Sequence, residues 1–168
     1  MTDTSRVTID VASAAGVHAM EIWGRDAVDR LTARLGFALP PAGRTAGDDG
    51  LRAIRVEPAT WLLDGANLDP ARIAQALGDD GALTAIGGGL VRVRIGGPDW
   101  RALLMADGLF DAEDPAFGPL CAAATLIAHV AVRLHVIDDQ TCEAFVPASF
   151  ATGLLSSWSR TARQIAGP

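Results

Sequence analysis

The sequence predicts an α+β fold in which one β-α-β-β-α plan is written twice as ferredoxin-like halves, and three observations carry that prediction. The first is residues 90–111, LVRVRIGGPDWRALLMADGLFD. Here Val91, Val93 and Ile95 alternate with Arg92 and Arg94 in the period-two pattern of a strand with one buried face. Gly96 and Gly97 end that strand, Pro98 fixes a backbone angle, and Asp99 caps a helix carrying Trp100, Leu103 and Leu104 inward. The second is residues 18–31, HAMEIWGRDAVDRL, a weaker copy offset by 73 residues, in which Ile22, Gly24, Asp26 and Leu31 fall on Ile95, Gly97, Asp99 and Leu104. The third is residues 56–64, VEPATWLLD, which match residues 136–144, VIDDQTCEA, at an offset of 80, with a helical pattern after each. A helix that crosses between strands and packs on one sheet face gives a ferredoxin-like half, and two such halves give a pseudo-duplicated domain. The halves are read as residues 7–80 and 88–168 of one domain, 1–168.

Taken in order, residues 1–6 read as a frayed end and residues 7–12 as an edge strand. Residues 17–23 form a second strand, stopped by Gly24. Asp26 then caps a helix with Val28, Leu31 and Leu35 on its apolar side, and Gly36 closes it. Residues 40–50, PPAGRTAGDDG, lack periodicity and are dense in turn formers, so they are expected as a surface loop. Residues 51–57 and 61–64 make a hairpin about Pro58 and Ala59, and residues 67–70 start a helix with Ile73, Ala74 and Leu77 inward. Residues 81–89 read as a connector. Their three glycines precede a strand, whereas a phosphate cradle follows one and opens a helix. Beyond the central stretch, residues 111–118 form a polar loop. Residues 121–129, 131–137 and 141–146 form strands turned at Asp138 and Asp139, and Ser149 caps a last helix bearing Phe150, Leu154, Leu155, Trp158 and Ile165.

Composition narrows the function classes. A net charge of −6 with no run of cations argues against a nucleic-acid surface. All 14 basic residues are Arg, as a GC-rich genome produces, so no side-chain amine exists for Schiff-base chemistry. Cys121 and Cys142 are too few and too far apart for a metal motif or a disulfide framework, and no signal peptide or membrane span is read. A cytoplasmic location is therefore expected.

Candidate chemistry is sparse. His129, Arg133 and His135 share one face if they lie on one strand, a titratable cluster set against the core side formed by Val130, Val132, Leu134 and Val136. The carboxylate sets Asp79/Asp80, Asp138/Asp139 and Asp111/Glu113/Asp114 all fall in expected turns, where Asp commonly binds nearby amides. Ser156, Ser157 and Ser159 have no nucleophile-elbow context. Among Trp23, Trp61, Trp100 and Trp158, Trp100 with its neighbour Arg101 is the preferred partner anchor. The candidate interface is accordingly Trp100, Arg101, His129, Arg133 and His135. No catalytic, cofactor-binding or metal residues are assigned.

Three stretches carry a family likeness. Residues 55–64, RVEPATWLLD, resemble a Pro-x-x-Trp-Leu-Leu hairpin of the sarcosine oxidase gamma subunit family. Residues 91–111 are similar to its strand, Gly-Pro, helix and Gly-x-x-x-Asp tail, and residues 131–158, ending FVPASFATGLLSSW, resemble its closing hairpin and helix. The chain departs from the family pattern at residues 84–89, TAIGGG, where an acidic stretch is usual, and at residues 108–111, GLFD, which lack the usual Cys. The resemblance implies a fold similar to the folate-binding domain of the glycine cleavage T-protein. It further implies a noncatalytic subunit of a heterotetramer that oxidatively demethylates sarcosine or a related N-methyl amine. FAD, FMN, NAD and zinc would then sit on partner subunits, the flavins and dinucleotide on the larger ones and zinc on the smallest. The competing reading is a stand-alone folate-binding protein of the T-protein type, in one-carbon transfer or iron-sulfur assembly.

Overall fold

A computed structural model describes residues 6–167, so the expectation for residues 1–5 lies outside the described residues. The chain divides into two compact units, one running from Ala15 to Gly88 and the other comprising the residues up to Ala14 together with those from Gly89 onward.

The unit of residues 15–88 contains β2 (His18–Ile22), α1 (Asp26–Leu35), β3 (Arg44–Gly47), β4 (Arg52–Arg55), β5 (Thr60–Asp64), α2 (Pro70–Leu77) and β6 (Gly81–Ala85). Its sheet runs β3-β4-β5-β2-β6, antiparallel throughout. The four strands β4-β5-β2-β6 reproduce the split β-α-β arrangement of a ferredoxin-like half. Met20, Ala53, Trp61 and Leu63 line one sheet face. Ala27, Leu31 and Leu35 of α1 and Ile73 and Leu77 of α2 close over them.

The other unit holds β1 (Thr8–Ser13), β7 (Leu90–Gly96), α3 (Trp100–Ala106), β8 (Ala122–Ile127), β9 (Val130–Asp138), β10 (Thr141–Pro147) and α4 (Ala148–Ala166). Its sheet order, β1-β7-β10-β9-β8, is the first unit's order with β7, β8, β9 and β10 in the places of β2, β3, β4 and β5. The fifth place differs in origin. In the first unit it is filled by β6, which follows α2; in the second it is filled by β1 from the start of the chain. The strand within the expected half 7–80 that comes first in sequence thus pairs with the later half. The core of this unit joins Val93, Ile95, Val132, Leu134, Val136, Ala144 and Val146 to Trp100, Leu103, Leu104, Leu154 and Trp158.

Several local expectations change. The loop of residues 40–50 contains β3, bracketed by Gly43 at φ 75° and Gly47 at φ 94°, and the connector 81–89 contains β6. Both are short strands held by pairing with a neighbour, which hydrophobic periodicity does not report. Arg25 rather than Asp26 is the cap of α1. Asp26 and Asp29 instead occupy its first turn, where negative charge complements the helix dipole. Val28 is 39% exposed and Ala27 takes its place in the core, while Ala74 of α2 is exposed. Asp99 makes no capping bond at α3, because its carboxylate is engaged by the guanidinium of Arg6, with Nη2 2.9 Å from Oδ1. Helix α4 starts after Pro147, which leaves Ser149 inside its first turn and Phe150 57% exposed.

The repeat offset of 73 is reproduced: Met20, Ile22, Ala27 and Leu31 stand where Val93, Ile95, Trp100 and Leu104 stand. The offset of 80 is not. Met20 pairs with Trp61 and Val93 pairs with Ala144, so Trp61 corresponds to Ala144, an offset of 83. An odd error of three residues moves every side chain to the opposite sheet face, so the hairpin match had set core residues against outward ones.

Candidate functional site

The sheet of β1, β7, β10, β9 and β8 buries one face under α3 and α4, so its alternate residues project from the other. In register across the strands this second face carries a row Asp10, Arg94, Glu143, His135 and a row Ala12, Arg92, Phe145, Arg133. The first alternates acidic and basic side chains, the cross-strand arrangement that favours antiparallel pairing.

Glu143 is the centre of this row. It is fully buried, accepts from Arg94 Nη2 at 2.8 Å and from His135 Nε2 at 3.0 Å, and has Arg92 Nη1 3.8 Å away. Burial pushes its carboxyl pKa up, but the hydrogen bonds from His135 and Arg94 and the charges of His135 and Arg92 outweigh burial and lower it to about 2. Phe145 forms the apolar floor beside it, with the Arg92 guanidinium 5.4 Å from its ring centroid and the His135 ring stacked at 6.3 Å. Asp10, Ala12, Ser13, Arg92, Arg94 and Glu143 line an open cleft of about 420 Å³. The lining is polar and charged, apart from Ala12. Glu143 accepts from Arg94 and His135 and has the charge of Arg92 close by, and so is not poised as a general base near neutral pH.

The sequence-derived residues divide. His135 and Arg133 do share a strand face, but His129 does not join them: it lies at φ 65° in the two-residue turn between β8 and β9, exposed to solvent. Trp100 is fully buried, and its indole N–H donates to the Asp139 carbonyl at 3.1 Å, so it has no surface with which to anchor a partner. Arg101 stacks on Trp100 at 4.2 Å and donates to the carbonyls of Ala112 and Phe117, which pins the loop of residues 111–118. The turn carboxylates bind amides locally: Asp111 accepts from Glu113, Asp114 from Ala116 and Asp138 from Gln140. Asp80 pairs with Arg30 at 2.7 Å, and Ser156 donates to the Thr152 carbonyl within α4. Cys121 and Cys142 are buried and form no disulfide. Burial, reinforced by the charge of Glu143, drives the Cys142 pKa upward, the direction of an unreactive thiol. Among the described residues no three His, Cys, Asp or Glu side chains converge as a metal-ligand set, and no helix is long and apolar enough to cross a membrane.

Sequence reasoning missed Glu143, Arg92, Arg94 and Phe145 as a group. The signal available was one acid, Glu143, in the otherwise apolar run CEAFV, opposite a strand whose outward residues are both Arg.

No protein-family model matches the chain, and no curated protein sequence matches it. Solved structures do. A chain of the heterotetrameric sarcosine oxidase from Corynebacterium sp. U-96, determined in complex with pyrrole 2-carboxylate, is similar with a TM-score of 0.87 and 21% identity, covering 98% of this chain and 88% of that one. The glycine cleavage system aminomethyltransferase T from Bartonella henselae is similar with a TM-score of 0.63 and 16% identity over 92% of this chain, which spans only 46% of that protein. At these identities the likeness is one of fold. The chain has the fold of a subunit of heterotetrameric sarcosine oxidase, a fold that also makes up about half of aminomethyltransferase T.

Proposed function

We propose that this chain is a noncatalytic structural and assembly subunit, of the gamma type, in a sarcosine oxidase-like flavoenzyme complex that oxidatively demethylates sarcosine or a related N-methyl amine. The observation that carries this reading is the likeness in fold to a chain of a heterotetrameric sarcosine oxidase, at a coverage that is nearly complete in both directions. On this reading FAD, FMN, NAD and zinc belong to partner subunits, the assembly is cytoplasmic, and this chain contributes surface. The engagement of Glu143 and the unreactive setting of Cys142 are consistent with that role.

A stand-alone folate-binding role of the T-protein type is the competing reading, favoured by the likeness to aminomethyltransferase T and opposed by the 46% coverage of that protein. Calorimetry with tetrahydrofolate on the isolated chain separates the two. The subunit reading expects no heat of binding at micromolar ligand, and micromolar affinity would favour the folate protein instead.

A further inference from the structure

Three of the four tryptophans are spent inside the units: Trp61, Trp100 and Trp158 are 6%, 0% and 1% exposed. Trp23 is 64% exposed, and it is held in place. Its indole N–H donates to the Asp79 carbonyl at 2.8 Å, and the backbone amides of Trp23 and Gly24 donate to the Asp80 carbonyl at 2.9 and 3.0 Å. A Cβ on Gly24 would fall into the Asp80 side chain, so only glycine lets the two segments close this tightly. Asp80 is itself fixed by Arg30, which also donates to the carbonyls of Ala76 and Leu77 at the end of α2.

The duplicated plan shows that the fold does not need an indole here. At the 73-residue offset Ile22 and Gly24 fall on Ile95 and Gly97, and between them Trp23 falls on Gly96. The second unit builds the same strand-to-helix junction with no side chain in that position. A rigid tryptophan, exposed where packing does not require it, has the properties of an interface anchor: large apolar area and little rotamer freedom left to lose on binding. Its surroundings give the partner a sign. Exposed Asp79 supplies the carbonyl that holds the indole N–H and exposed Asp26 opens α1, with Arg25 as the intervening cation, on a chain of net charge −6.

We infer that Trp23 is the anchor by which this chain docks into an apolar pocket, ringed by Arg or Lys, on a larger subunit of its complex. The inference rests on the subunit reading above and names the surface that reading leaves open. A cationic side chain of the partner can lie against the indole face while the rim pairs with Asp26 and Asp79.

The test is the affinity of the full chain for the co-expressed flavin-binding subunits, measured for the wild type, Trp23→Ala and the Asp26→Asn/Asp79→Asn double variant, with thermal melting as a check on folding. Trp23→Ala is expected to weaken binding about 30-fold or more at an unchanged melting temperature, and the double variant to weaken it less and to flatten its salt dependence. Wild-type affinity in Trp23→Ala overturns the inference and leaves the subunit reading standing, whereas a wild-type chain that binds no flavin-binding subunit overturns both. Should Trp23→Ala fail to fold, hydroxyl-radical footprinting of the wild-type complex decides, since the inference requires Trp23 to be protected on assembly and an equally labelled Trp23 sinks it.

Discussion

At the scale of the residue, Glu143 is the group whose chemistry matters most to the stability of this chain. It is a buried carboxylate with Arg94 at 2.8 Å and His135 at 3.0 Å, and Arg92 stands within Coulombic reach. Removing one member of a buried charged pair strands the others and typically costs about 3–5 kcal/mol. Glu143→Gln is therefore expected to lose stability of that order in urea unfolding at pH 7. The pH profile has a definite sign. The folded carboxyl titrates near 2, below its ordinary value of 4.5, so its stabilisation is fully present above pH 4.5 and is lost as the pH falls toward 2. Unfolding midpoints measured across that window should fall for the wild type and fall less for Glu143→Gln; parallel profiles would remove Glu143 from the account. The turn of Ala128 and His129 makes a second, opposite prediction. Both residues hold positive φ, 48° and 65°, in a two-residue hairpin connection where Asn-Gly is the favoured pair. His129→Gly should accordingly raise stability by about 0.5–1 kcal/mol in thermal denaturation.

At the scale of the element, the strands and helices with strong periodicity are legible in the sequence. Alternation in β7, the hairpin β4–β5, the run β9–β10 and the apolar stripe of α4 from Leu154 to Ile165 stand where the pattern puts them, while Phe150 turns outward. What was illegible shares a physical cause. Strands β3 and β6 are four and five residues long, rich in Gly, Ala and Thr, and are made strands by hydrogen bonds to β4 and β2 rather than by an apolar face of their own. The row from Asp10 to His135 was illegible for a related reason: its members come from four strands, and sequence separation hides register. Trp100 is core rather than anchor, because a tryptophan on the first turn of a helix reads alike in sequence whether that turn faces core or solvent. Gly97 shows how one backbone position secures several elements. At φ 101° it is in a conformation that side chains rarely adopt, and an added Cβ would meet the carbonyl of Arg6, two residues before the start of β1. Gly97→Ala is expected to cost about 1–3 kcal/mol, with hydrogen exchange speeding up in the Thr8–Ser13 strand. An unchanged exchange rate there would contradict the role given to this glycine.

At the scale of the whole molecule, the duplicated plan explains how the chain is assembled. Each unit has a five-stranded antiparallel sheet in the same order, and the chain begins by supplying the fifth strand of the unit it completes last. That unit is built from strands that flank the other unit in sequence, so removal of Thr8–Ser13 should lower its stability sharply, a loss that thermal melting reports. The fold is that of a sarcosine oxidase subunit, and the proposal built on it is that the chain supplies surface while its partners supply redox chemistry. The most direct test is to co-express the full chain with the flavin-binding subunits and measure the mass and visible spectrum of what purifies. The account predicts a yellow heteromeric complex containing this chain in fixed stoichiometry, and a colourless chain when it is expressed alone. A chain that purifies alone with bound flavin, or that never enters such a complex, would contradict it.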